Sequence, residues 1–198
     1  MASPAAGGSD TDSMNRIHCF RPIMLLALVC SFAAFGESDT PPAPACEAPQ
    51  YRQFDFWLGD FEVLDADGRR AGHNHIESTQ AGCLIVERWQ GAEGGTGQSY
   101  NFYDPGRKRW RQLWVSTGAV IEIEGGLTAE PDGRSSMLLN GEIRYRRDGR
   151  VAPFRGRWTP MDKGIVRQFF EEQQADGNWA AWFEGFYHPN SDTEDTDP

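Results

Sequence analysis

The chain is punctuated by tight-turn signals, four of the six gaps between them spanning about ten to fifteen residues and two about twice that: Asp67-Gly68, Gly94-Gly95, Asp104-Pro105-Gly106, Asp132-Gly133, Asp148-Gly149, Asp162-Lys163-Gly164 and Asp176-Gly177. Asp and Gly favour the backbone conformations that short turns need, so no element between two such signals can be long. The intervening runs alternate apolar and polar residues with period two, and no long segment shows a helical apolar period. This spacing predicts strands near 60–65, 71–79, 83–90, 97–103, 109–116, 119–127, 135–145, 151–158, 165–173 and 179–187. Pro153 lacks the N–H that a ladder uses, so its strand is expected to start later or to bulge there. The remaining glycines are read as turn residues.

About ten short strands joined by tight turns suit an up-and-down antiparallel meander, and closing it removes edges that would pair with other chains. Composition agrees. Seven Trp, twelve Phe and five Tyr stand against two Lys, an aromatic-rich mixture that fits pleated, half-buried surfaces. The expected fold class is all-β, an antiparallel barrel of about ten strands.

Domain organisation follows from the ends. Residues 1–36 read as a signal peptide: the apolar run Ile23–Phe35 follows Arg16 and Arg21 and is shorter than the roughly 20 residues that cross a bilayer. Met14 is the more natural start, and Gly36/Glu37 the expected cleavage point. A Pro-rich linker occupies 37–50, the barrel domain 51–188 and an acidic, disordered tail 189–198. No stable membrane span is expected after processing, and the expected location is periplasmic or secreted; an unprocessed membrane-tethering helix is the alternative. Two cysteines are left, Cys46 and Cys83, and an oxidising compartment makes a disulfide between them the economical reading, worth a few kcal/mol on the order of loop-closure estimates. From residue 37 onward there are 27 acidic and 17 basic residues. That balance argues against nucleic acid as a partner. A monomer or weak dimer is expected.

The chemistry lies on one face of five strands. Alternate residues read Ile85, Glu87, Trp89; Ser99, Asn101, Tyr103; Trp110, Gln112, Trp114; Val166, Gln168, Phe170; and Trp182, Glu184, Phe186. Each triplet has a polar group at its centre. Burying five such groups unpaired costs roughly 1–3 kcal/mol each, so they must meet one another, water or a ligand. A polar belt between aromatic walls describes a barrel that holds one small molecule. The residues assigned to ligand binding are Glu87, Trp89, Asn101, Tyr103, Gln112, Trp114, Gln168, Phe170 and Glu184. The bland alternative is a packed barrel with a water-satisfied structural network. The third is an enzyme in the same cavity, with Glu87 or Glu184 as an acid/base raised in pKa by burial.

FDFWLGDFEV (Phe54–Val63), AGCLIVERWQG, SYNFYDP, RWRQLWV, IEGG, RWTP, VRQFFE and FEGFY resemble, as a set spanning about residues 46–188, a family of uncharacterised bacterial exported proteins with a calycin-like barrel, related in shape to lipocalins and fatty-acid-binding proteins. Lipocalins enter their first strand with Gly-x-Trp; here Gly59-Asp60-Phe61 takes that place with Phe. The resemblance implies a fold and a cavity, and no substrate. Phe54, Phe56 and Trp57 are then expected to plug one barrel end, with Gly59 allowing the bend into the first strand.

Other chemistries have weaker signals. His73 and His75 share a strand face, a spacing some metal sites use, but Asn74 and Ile76 take the opposite face with Ile76 inward, which leaves the two imidazoles in solvent. Glu122 and Glu124 lie about 7 Å apart by strand rise and read as an outer pair because Ile121 and Ile123 flank them. His188 invites comparison with haem-binding barrels that use one proximal His. No nucleophile elbow, P-loop or dinucleotide fingerprint occurs, and neither a cofactor nor a metal is assigned.

Overall fold

A computed structural model describes residues 46–190 of the protein. The segments read as signal peptide, most of the linker and the acidic tail lie outside the described residues. Ten strands follow one another: β1 Gly59–Leu64, β2 Arg70–Thr79, β3 Leu84–Gly91, β4 Thr96–Asp104, β5 Arg109–Ser116, β6 Ala119–Ala129, β7 Ser135–Tyr145, β8 Val151–Pro160, β9 Val166–Gln173 and β10 Trp179–Pro189. Each pairs antiparallel with its neighbours in sequence, and β1 pairs with β10 to close the barrel. The architecture is calycin-like. The strands begin and end within two residues of the positions expected from the turn signals.

The parity of the strands sorts inside from outside. Inward positions carry the core, including Phe61, Val63, Ile76, Ile85, Trp110, Ile121, Ile123, Leu139, Ile143, Phe154, Trp158 and Val166. Outward positions carry charge, paired across neighbouring strands as Arg109 with Glu124, Arg155 with Glu171 and Arg167 with Glu184. Such exposed pairs add little stability, but they define the outer surface. A charged exterior around an apolar interior is the reverse of a membrane-spanning barrel, whose lipid-facing band is apolar. Among the described residues no helix is long and apolar enough to cross a membrane.

One end of the barrel is plugged by its own lead-in. Residues Pro49–Arg52 and Asp55–Trp57 form single 3-10 turns. Phe54 and Trp57 are fully buried, stacked at 5.0 Å, with Phe54 edge-on to Trp110 at 5.5 Å and to Trp158 at 5.2 Å. Gly59 has φ 143°, a conformation side chains rarely adopt, and it turns the chain from the plug into β1. The Trp110 indole N–H donates to the Gln50 carbonyl at 3.1 Å, and Cys46 is disulfide-bonded to Cys83. The last residues of the segment read as linker are therefore fastened to the barrel floor.

Two sequence expectations need correction. Pro153 neither delays nor bulges its strand: β8 runs through it in register with Glu142, while pairing with β9 begins only at Phe154. Its missing N–H thus falls where no ladder partner is present. The glycines are not confined to turns either, since Gly72, Gly97, Gly156 and Gly185 lie within strands.

Candidate functional site

The end opposite the plug holds a cavity of about 140 Å³, lined by Glu87, Trp89, Trp114, Ile121, Gln168, Phe170, Trp182, Phe183 and Tyr187. The side chains arrive from β3, β5, β6, β9 and β10. Trp182 is 42 % exposed, so the cavity reaches solvent at its rim. The aromatic walls stand where strand glycines let them. A Cβ on Gly97 would lie 2.0 Å from the Trp114 ring, one on Gly72 2.6 Å from Trp89, and one on Gly156 2.4 Å from Phe170. Each ring therefore lies against bare backbone. Gly97→Ala is expected to displace Trp114 into the cavity and destabilise the fold by about 1–3 kcal/mol, with a changed tryptophan emission spectrum as the readout.

Beneath the walls runs a directed hydrogen-bond network. Gln112 Nε2 donates to Asn101 Oδ1 at 2.7 Å, Asn101 Nδ2 to Ser99 Oγ at 2.8 Å, and the Ser99 hydroxyl to Glu87 Oε2 at 2.5 Å. From the other side Asn74 Nδ2 donates to Glu87 Oε1 at 2.7 Å, and the Tyr187 hydroxyl donates to Gln168 Oε1. The cross-strand register makes this possible. Glu87 sits opposite Ser99, Ile85 opposite Asn101, and Asn101 opposite Gln112, so all these side chains share the inner face.

Glu87 is the charge-bearing centre of the network. It is 2 % exposed, and burial pushes its carboxyl up to about 7, against the opposing pull of the Ser99 and Asn74 hydrogen bonds. Tyr187, equally buried and beside Glu87, is raised well above the ordinary phenol value, by burial first and the Glu87 charge second. It stays a neutral phenol.

At the cavity mouth Glu172 accepts from Arg150 at 2.6 Å and from the Tyr145 hydroxyl. Burial works to raise the Glu172 carboxyl, but the Arg150 and Tyr145 bonds together hold it below the ordinary value. Trp182 Nε1 donates to the same Tyr145 hydroxyl at 3.0 Å, which ties the rim indole to this polar group.

The nine residues assigned from sequence separate into four groups. Glu87, Trp89, Trp114, Gln168 and Phe170 meet at the cavity. Asn101 and Gln112 lie deeper and act through the network, while Tyr103 belongs to the plug, 5.2 Å from Tyr51. Glu184 is a correction: it faces outward and is held by Arg167 at 2.7 Å. A bulge between Ala181 and Phe183 inserts Trp182 as an extra residue, and beyond it the inward parity passes to Phe183, Gly185 and Tyr187. Phe186 turns outward with Glu184, opposite Arg167.

Sequence reasoning passes over Asn74, Phe183, Tyr187 and Glu172. Strand alternation puts Asn74 on the inner face, and Glu172 continues the Val166, Gln168, Phe170 alternation by one step, so both are within reach of period-two reading. His188 lies opposite Glu62 on the outer face, which removes it from the barrel interior and from any haem held there. His73 and His75 also face outward, around Asp60, with His75 Nδ1 at 3.0 Å from Asp60 Oδ1. Among the described residues no group of three or more His, Cys, Asp or Glu could hold a metal ion.

Compared with known proteins, the chain matches no protein-family model, and a search of curated proteins finds no significant match.

Proposed function

We propose that this barrel is an exported binding protein for one small, partly apolar molecule, kin to the exported calycin-like family its sequence resembles. The observation that carries this reading is the cavity itself: about 140 Å³ bounded by aromatic side chains, with Glu87 and Gln168 as polar groups in its wall. A space of that size takes a ligand of single-ring dimensions. Apolar walls supply affinity, and a few placed polar groups fix orientation. The disulfide between Cys46 and Cys83 supports an oxidising compartment as the place of action.

Three of the lining residues are tryptophans, so occupancy reads out directly. Titrating the purified mature protein with a panel of single-ring alcohols and amines is expected to give a saturable shift of tryptophan emission, reduced in Phe170→Ala. No saturable shift with any member, together with native mass spectra that retain no small molecule, would sink the binding reading.

A second reading, catalysis by Glu87 as acid/base, is favoured by one observation, a buried carboxyl poised near neutrality. It differs in requiring turnover. Against it, each carboxyl oxygen already accepts a structural hydrogen bond, from Asn74 or Ser99, that proton transfer would disturb.

A further inference from the structure

The charges inside the barrel do not balance. Glu87 and Glu172 are the buried acidic side chains on the inner face. Glu172 is answered by Arg150 at the mouth. Glu87 is answered only by neutral donors, and among the described residues no Lys, Arg or His lines the cavity. The network has a direction as well: Gln112, Asn101 and Ser99 each donate toward the next, and the series ends on the Glu87 carboxylate, which Asn74 also approaches as a donor. The two bonds that reach Glu87 each favour its ionised form, in opposition to the burial that raises its carboxyl. Each carboxylate oxygen accepts one of these bonds and keeps further acceptor capacity. Asn74 Oδ1, buried in the same layer, has no hydrogen-bond partner among the described residues. The polar layer thus has surplus acceptors and surplus negative charge.

Around that carboxylate stand Trp89, Trp114, Phe170, Trp182 and Phe183. Aromatic faces carry negative electrostatic potential and attract cations, most strongly when water is excluded, and a ring of them is a recurrent solution for binding methylated ammonium groups. A quaternary ammonium group has no N–H to satisfy, wants apolar contact for its methyls, and needs one counter-charge. Five aromatics and one carboxylate supply both. The chain's formal net charge of −10 adds a favourable long-range field for a cation's approach.

We propose that the cavity selects small organic cations of the alkylated-ammonium class, with Glu87 as counter-ion and Trp89, Trp114, Phe170, Trp182 and Phe183 as the aromatic enclosure. This inference rests on the binding function proposed above and specifies its ligand class. It carries a pH signature. The titratable or polar groups facing Glu87 are Asn74 from β2, Ser99 from β4 and the Tyr187 phenol from β10, and of these only Tyr187 titrates, far above neutrality. Affinity for a permanent cation therefore rises with pH through about 7, as Glu87 ionises, and levels off above. Below that range binding must displace a proton.

The test compares choline with its uncharged carbon isostere, 3,3-dimethylbutan-1-ol, by calorimetry on the mature protein from pH 5.5 to 8.5. At pH 8.5 choline is expected to bind at least about tenfold more tightly than the isostere. That ratio is expected to fall toward one at pH 5.5, and in Glu87→Gln at all pH values. The pH series on the unmodified protein keeps the test independent of whether the variant folds. Isostere binding equal to or tighter than choline at pH 8.5, or a ratio that does not change with pH, overturns the cation inference and leaves the binding function standing. Failure of both compounds to bind overturns the cation inference, and the binding function falls with it only if the panel of alcohols and amines also gives no shift and native mass spectra retain no small molecule.

Discussion

Replacing Trp57 by alanine is expected to cost about 3–5 kcal/mol of folding stability, the range for removing a large aromatic from a close-packed site. The indole is fully buried and touches three other rings: Phe54 at 5.0 Å, Trp158 at 5.5 Å and Tyr187 at 6.3 Å. Its removal opens a void at the barrel floor that neighbouring strands cannot collapse to fill, because their register is fixed by ladders on both sides. The indole N–H makes no hydrogen bond, so the cost is one of packing and of lost apolar burial. Guanidinium unfolding of the variant reads it directly. A loss under about 1 kcal/mol would show that the plug is peripheral and that the barrel closes without it.

The second large effect is electrostatic. In the folded protein Glu87 titrates near 7, raised from the ordinary value of 4.5 by burial. The sign follows from proton linkage: between these two values the folded state binds a proton that the unfolded chain has released, so stability declines as pH rises through the window and is level above it. The full loss across the window is about 3 kcal/mol, since each pH unit between the two values is worth about 1.4 kcal/mol. The carboxylates with depressed values, such as Asp65, Glu77, Asp132 and Asp176, act in the opposite sense and below their own ordinary range, so their window lies under that of Glu87. Denaturation midpoints collected from pH 4.5 to 8 are expected to fall for the unmodified protein and to run flatter for Glu87→Gln. Parallel profiles would mean that Glu87 is ionised, or solvated, throughout. Bound cation makes the slope shallower, since it favours the carboxylate form.

Much of this molecule is open to reading from its residues, for definable reasons. Turn chemistry at Asp-Gly and Gly-Gly pairs marks strand ends because few other residues take those conformations at low cost, and most strand ends are located that way; the β2–β3 and β5–β6 junctions carry no such pair. Period-two alternation then sorts inside from outside on β3, β4, β5 and β9. It fails on β10, where WAAWFEGFY contains nothing that announces a bulge: the extra residue is stabilised by ring contacts of Trp182 with Phe154 and Phe170, which exist only once distant strands are assembled. The glycine seats are hidden for the same reason. Gly97 and Gly156 fall inside the expected strands with nothing to mark them, and only the position of the opposing ring shows why a side chain is excluded there. Asn74 is masked by its neighbours, because two flanking histidines draw the chemical reading to the outer face while the working residue lies between them. The Glu87 charge imbalance is invisible in the sequence, because it depends on which partners several strands bring to one point.

The cavity and its polar orienting groups are the centre of this account, and crystals soaked with a library of fragments of up to about ten non-hydrogen atoms test them most directly. The expected result is fragment density between Trp114, Phe170 and Phe183, with the polar atom of each fragment within hydrogen-bond distance of Glu87 or Gln168. An interior in which Trp182 and Phe183 pack against Trp114 and leave no space, with fragments found only on the outer surface, would contradict it.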